Sequence, residues 1–155
     1  MTVKKLTIGA AIAAIYATLT NFLSPISYGP VQCRISEALC ILPAFTPVAV
    51  WGLFVGCLIA NIFTGSLIDV VLGSLTTLLA AVLTYKTRKN IYVAMLFPVI
   101  LNALVVGSYL AVLYEGVPVL LSILYVGVGQ AVSCYGLGLP LYKLLKKKNI
   151  KFKEM

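Results

Sequence analysis

Residues 6–33 read LTIGAAIAAIYATLTNFLSPISYGPVQC, and none of them carries a charge. A helix rising about 1.5 Å per residue needs about 20 mostly apolar residues to cross a hydrocarbon core about 30 Å thick. This stretch is long enough to cross, and it is too long and too uniformly uncharged for a cleaved leader, so it reads as a retained span. Four more uncharged runs follow, at residues 38–68, 70–85, 90–114 and 116–142. The composition agrees: of 155 residues, 61% are hydrophobic and 10% charged, and the mean hydropathy is +1.06. Soluble domains carry about 25% charged residues, and disordered chains combine low hydrophobicity with high charge. The fold class is therefore all-α integral membrane protein, with residues 1–155 forming a single transmembrane domain.

Prolines divide the runs further. Pro43 and Pro47 interrupt the second run, because each removes a backbone donor and restricts the residue before it. The reading is six transmembrane helices, at residues 5–23, 33–42, 47–63, 66–85, 91–114 and 118–143. The second is too short to span unless it starts earlier or tilts little and continues through Pro43. Basic residues orient the bundle. Lys4 and Lys5 precede the first helix, Lys86, Arg88 and Lys89 separate the fourth from the fifth, and Lys143, Lys146, Lys147, Lys148, Lys151 and Lys153 lie at or after the end of the sixth. With six spans these three groups share one side, so eleven of the twelve basic residues, and both termini, are placed in the cytoplasm. The net charge of +8 is then an orientation signal and a means of adhesion to anionic lipid, and not a nucleic-acid interface.

Several chemistries are excluded. The chain has no histidine, which removes Ser-His-Asp and Cys-His systems and His-based metal sites. It has no GxxxxGK[ST] phosphate loop, so ATP hydrolysis must reside in another protein. Cys33, Cys40, Cys57 and Cys134 sit in apolar surroundings without C-x-x-C spacing and read as small packing residues. No enzyme activity, cofactor or metal is expected.

Charge inside a membrane is costly and marks function. Arg34 and Glu37 fall in the first turn of the second helix and Asp69 in the first turn of the fourth, both at the outer face. Arg34 and Glu37, three residues apart, can pair. Asn61 ends the third helix on the same side, and Asn102 and Gln130 lie about 16 to 18 Å into the fifth and sixth. The set describes a pocket open to the outside. Each member also has a purely architectural reading: Ser66-x-x-Asp69 fits a capping box, Arg34 with Glu37 an interfacial ion pair, and Asn102 and Gln130 interhelical hydrogen bonds. Trp51, Tyr28, Tyr109, Tyr114 and Tyr125 fit an interfacial aromatic belt, and Glu115 a solvated loop. Small residues form a second pattern, Gly9-x-x-x-Ala13-x-x-x-Ala17 with Ala10-x-x-x-Ala14 in the first helix and Gly52-x-x-x-Gly56-x-x-x-Ala60 in the third. Such stripes permit close helix approach within the bundle or against a partner.

The stretches PISYGPVQCRISEAL (residues 25–39), GLFVGCLIAN (52–61), DVVLGSLTTLLAA (69–81) and GQAVSCYGLGLP (129–140) resemble the QueT family, with R-[IV]-S-E-A-L at residues 34–39 as the specific core. Members are substrate-binding S components of energy-coupling factor transporters, assigned to queuosine precursors. The resemblance implies capture of solute outside a bacterial plasma membrane, and assembly with a transmembrane T component and two cytosolic ATPases. It also implies contact with the T component through Ala10, Ala13, Ala14 and Ala17. The chain departs from the family pattern at Cys33, where members usually carry Phe, and at Gln130, where some carry Glu.

The implied ligand is 7-aminomethyl-7-deazaguanine or queuine. A carboxylate can accept the ring N1–H and exocyclic NH2 of a guanine edge together, while a second faces the aminomethyl cation. Glu37 and Asp69 can take these roles in either order. Arg34 then orients Glu37 or donates to the ring carbonyl, Asn61, Asn102 and Gln130 satisfy other polar atoms, and Tyr28 stacks over the base. Two other readings stay open: a homodimeric proton-coupled transporter using Glu37 or Asp69, and a structural membrane subunit without a ligand.

Overall fold

The computed structural model describes residues 2–29, 31–113 and 116–148. Of the residues named above, Tyr114, Glu115, Lys151 and Lys153 lie outside this set. Among the described residues there is no strand, and the chain runs through α1 (Val3–Phe22), α2 (Ile35–Ala44), α3 (Val48–Ile62), α4 (Asp69–Lys86), α5 (Ile91–Leu113) and α6 (Val119–Lys147). A single helical turn, Ser24–Ser27, follows α1. The all-α membrane class holds: α1, α4, α5 and α6 are long and apolar enough to cross a bilayer, while α2 and α3 are shorter.

The short second helix is wound as a 3-10 helix rather than an α-helix, and it starts at Ile35 and ends past Pro43. At about 2.0 Å per residue its ten residues reach about 20 Å, against about 15 Å for an α-helix. It is the central strut. Ser36, Glu37, Ala38, Cys40, Ile41, Leu42 and Pro43 are all buried, and α1, α3, α4, α5 and α6 pack around it.

Glycine decides how α1 meets α3. A Cβ on Gly52 would lie 2.8 Å from the Gly9 carbonyl oxygen, and one on Gly56 would lie 2.8 Å from that of Ala13. The two small-residue stripes therefore face each other, backbone on backbone. Gly56→Ala is expected to destabilise the detergent-solubilised protein by about 1–3 kcal/mol, the usual cost of overpacking. Gly136→Ala, whose new methyl would meet only Val132 Cγ1 at 4.0 Å, is expected to be neutral or stabilising by up to about 1 kcal/mol. Equal thermal midpoints for the two variants would overturn this account of the α1–α3 contact.

Proline in α5 is compensated by its neighbour. Pro98 cannot donate to the Ala94 carbonyl, and the Thr84 hydroxyl of α4 donates to that oxygen instead, at 3.1 Å. The start of α5 is capped by Asn90, whose side chain accepts from the Tyr92 and Val93 N–H groups. Three long helices also carry a π-helical turn, Asp69–Gly73 in α4, Asn102–Val106 in α5 and Val132–Gly138 in α6. Such turns cluster at functional sites because they re-aim side chains without ending the helix. The four cysteines are free thiols, and Cys40, Cys57 and Cys134 are buried, as packing residues should be.

Candidate functional site

Between α1 and α2 the chain crosses one end of the bundle in a tight connection. Gln32 takes φ +45°, a conformation uncommon for a side-chain-bearing residue, and it is buried. The connection presses on α6: a Cβ on Gly129 would lie 2.1 Å from the Val31 carbonyl oxygen and 3.1 Å from the Cys33 nitrogen. This contact seats Arg34 at the entrance to α2.

Arg34 is 2% exposed. Its Nη1 donates to Asn61 Oδ1 at 3.2 Å and its Nε to the Ser27 carbonyl at 3.4 Å. Its guanidinium also stacks 5.2 Å from the centre of the Tyr28 ring. Asn61, fully buried at the end of α3, is the hub. Its amide nitrogen donates to the Asp69 carbonyl at 2.8 Å, with Cys57 Sγ and Ser74 Oγ at 3.4 and 3.5 Å. Gly73 makes room for it, since a Cβ there would lie 2.9 Å from Asn61 Nδ2. Asp69 in turn accepts from the Tyr109 hydroxyl at 2.5 Å. The π-turn at the start of α4 thus turns its backbone carbonyl to Asn61 and its carboxylate to Tyr109.

Tyr28 closes this end, its single hydroxyl proton shared between two acceptors, Asn21 Oδ1 at 3.0 Å and the Ala60 carbonyl at 2.9 Å. Burial pushes its phenol above the ordinary range, and Arg34 pulls the other way. Beside these residues lies a cleft of about 270 Å³, lined by Tyr28, Gln32 and Asp69 and by Leu110 and Leu113 of α5.

Glu37 belongs to a deeper cluster. Its carboxylate accepts from the Tyr16 hydroxyl of α1 and from the Cys40 thiol at 2.8 Å. The second bond follows from 3-10 winding, which eclipses residues three apart. The side-chain hydrogen bonds of Arg34 and Glu37 therefore go to other partners and not to each other, contrary to the pairing their spacing predicts. Cys57 packs beside the first cluster, its sulfur accepting from the Asn61 amide nitrogen at 3.4 Å and from the Thr77 hydroxyl at 3.3 Å. The capping box at Ser66 is half formed: Ser66 Oγ accepts from the Asp69 N–H, while the Ser66 N–H donates to Thr64 Oγ1.

Tyr28, Arg34, Asn61 and Asp69 thus share one network, while the Glu37 carboxylate is bonded to Tyr16 and Cys40. Asn102 does not join it through its amide nitrogen, which donates to the Pro98 carbonyl of its own helix at 2.9 Å. Gln130 is 2% exposed and follows Gly129 beneath the connection. Tyr16, Ser27, Gln32 and Tyr109 are additions that the sequence did not single out as site residues. The signal for Tyr16 is its hydroxyl in an otherwise apolar helical stretch. On α1, Ala10 and Ala14 are exposed while Ala13 and Ala17 are buried toward α3. The four line two shallow grooves between these helices.

Among the described residues, three buried side-chain atoms have no hydrogen-bond partner: Ser27 Oγ, Arg34 Nη2 and Gln130 Oε1. Leaving such a group unmade costs about 1–3 kcal/mol, and more for a charged one. One guanidinium against two carboxylates gives the polar layer a formal charge of −1. The arrangement offers donors, acceptors and negative charge to a polar ligand.

A family model described as QueT transporter matches residues 6–147. A curated relative, the queuosine precursor transporter QueT of Lactococcus lactis subsp. cremoris (strain MG1363), is 41% identical over 71 residues. That alignment covers 44% of this chain and 42% of the relative, so it spans less than half of either protein. No solved structure matches the chain.

Proposed function

Because this chain belongs to the QueT transporter family, we propose that it is the substrate-capture subunit of an energy-coupling factor importer, taking a queuosine precursor from outside the cell. In this reading all six helices span a bacterial plasma membrane with both termini inside, and the Tyr28–Arg34–Asn61–Asp69 end faces outward. The ligand is 7-aminomethyl-7-deazaguanine or queuine. The observation that carries the reading is Arg34, buried and held by Asn61 and Ser27 with Nη2 unpartnered among the described residues, and joined through Asn61 to Asp69, which lines a cleft.

The residues divide the work by chemistry. Asp69 faces the aminomethyl cation and Arg34 Nη2 donates to the ring carbonyl. Glu37 meets the guanine edge once Tyr16 and Cys40 release part of its carboxylate. Gln130 supplies an acceptor, Asn61 positions Arg34, Asn102 braces α5, and Tyr28 stacks on the base. Uptake is driven by a T component and two cytosolic ATPases. The T component docks on α1 through Ala10 and Ala14, with Ala13 and Ala17 at the groove floors.

Equilibrium titration of the purified chain with 7-aminomethyl-7-deazaguanine, its neutral nitrile analogue, queuine and guanine tests the ligand. Tight binding of the first or third, with guanine at least about tenfold weaker, is expected because a cation meets a site of charge −1. Failure of a folded protein to bind any of the four would sink the assignment. Uptake that persists without the ATPases and collapses with a proton uncoupler would sink the coupling.

A further inference from the structure

At the other end of the bundle, where α4 hands over to α5, a second cleft of about 470 Å³ opens between the start of α5 and the last turns of α6. Lys89 stands on one wall and Lys143 and Lys146 on the other, with Ile91 and Leu139 among the apolar lining residues. The walls are held together, since the Tyr135 hydroxyl of α6 donates to the Tyr92 carbonyl of α5 at 2.8 Å. No acid lines the cleft. The described acids, Glu37 and Asp69, make their contacts in the polar clusters above. Three ammonium groups therefore share one concavity with no counter-charge from the described chain.

Neighbouring groups do not quench it. Arg88 folds back over the Tyr85 ring, 4.1 Å from its centre, and donates to the Tyr85 carbonyl, so it adds no second role here. The N–H groups of Tyr92 and Val93 are taken by Asn90, so recognition falls to the lysines. Lys146 also stands 5.8 Å from the centre of the Tyr142 ring, an aromatic that lines the same cleft. Tyr92, which lines the cleft, and Val93 and Leu144, which follow the lining residues Tyr92 and Lys143 in sequence, are exposed and offer apolar surface suited to acyl chains. Cationic pockets between membrane helices, with apolar flanks, select anionic headgroups.

We propose that this cleft binds the phosphate headgroup of one anionic phospholipid, gripped by Lys89, Lys143 and Lys146 with its acyl chains against α5 and α6. The site is separate from the substrate pocket and does not depend on the identity of the transported molecule. Occupancy would clasp the α4–α5 connection to α6.

Native mass spectrometry of the detergent-purified full chain, offered equal phosphatidylglycerol and phosphatidylcholine of matched acyl chains, tests it. The wild type is expected to retain one phosphatidylglycerol with a preference of about tenfold or more. Lys89→Gln, Lys143→Gln, Lys146→Gln together should reduce that preference to about parity. A control of equal charge loss, Lys4→Gln, Lys5→Gln, Lys147→Gln, should keep it. Equal loss in the control would mean diffuse attraction and overturn the site. Displacement of the lipid by millimolar inorganic phosphate would mean a free-anion site. Absence of preference in the wild type, which needs no variant, would also overturn the proposal and leave the cleft to an acidic segment of a partner protein.

Discussion

Asp69→Asn is expected to weaken binding of 7-aminomethyl-7-deazaguanine about a hundredfold while leaving the protein folded. The fold survives because the substitution spares what the backbone does. The Asp69 carbonyl still accepts from Asn61, and the Tyr109 hydroxyl, now 2.5 Å from a carboxylate oxygen, can donate to the amide oxygen of Asn. What disappears is the negative charge at the cleft wall. A charge-assisted hydrogen bond in a dehydrated site contributes about 1.5–3 kcal/mol, and its loss with the accompanying Coulomb attraction corresponds to about two decades in affinity. The nitrile analogue supplies the control, because it presents no cation and should lose less than about threefold. Equal losses for both ligands would show that Asp69 acts by holding Tyr109 and α4 in place. No loss for either would remove it from the ligand contacts.

The parts of this site legible in the sequence are those where physics penalises the residue. Arg34, Glu37 and Asp69 stand out because charge interrupts apolar runs, and counting turns from the helix ends places Arg34, Asn61 and Asp69 at one end. The directions of side chains were not legible. Tyr109 and Tyr125 look alike as interfacial aromatics, yet Tyr109 turns inward to Asp69 while Tyr125 stays 41% exposed. The Glu37 carboxylate is bonded to Tyr16 and Cys40 rather than Arg34 because α2 begins only at Ile35, leaving Arg34 extended before it, and its 3-10 winding stacks Cys40 on Glu37; in a largely buried segment such a winding cannot be told from an α-helix by hydrophobicity. The small residues of α1 divide in the same way. Their spacing shows that something packs closely, but only the glycines of α3 reveal that the Ala13 side of the helix is already occupied.

Gly129→Ala is expected to cost at least about tenfold in ligand affinity although it adds one methyl group far along the sequence from any charge. The added Cβ would stand 2.1 Å from the Val31 carbonyl oxygen, well inside the 3.5–4.0 Å at which nonbonded carbon contacts are most favourable, and the clash is with backbone, which no rotamer change relieves. The 31–33 connection must therefore lift from α6 by roughly an ångström or more, or α6 must withdraw, since packed interiors absorb volume poorly. Arg34 is the next residue, and its bonds to Asn61 and Ser27 are 3.2 and 3.4 Å, so such a shift breaks both. Cys33 gives an independent readout. Its backbone nitrogen lies 3.1 Å from the same added methyl, its side chain is partly exposed, and the other three thiols are buried. Alkylation of Cys33 by a small maleimide should therefore accelerate severalfold in the variant, with Cys40, Cys57 and Cys134 unreactive as internal controls. Faster alkylation with unchanged affinity would detach the connection from ligand capture. Unchanged alkylation with lost affinity would place the effect of Gly129 on Gln130, its neighbour, rather than on Arg34.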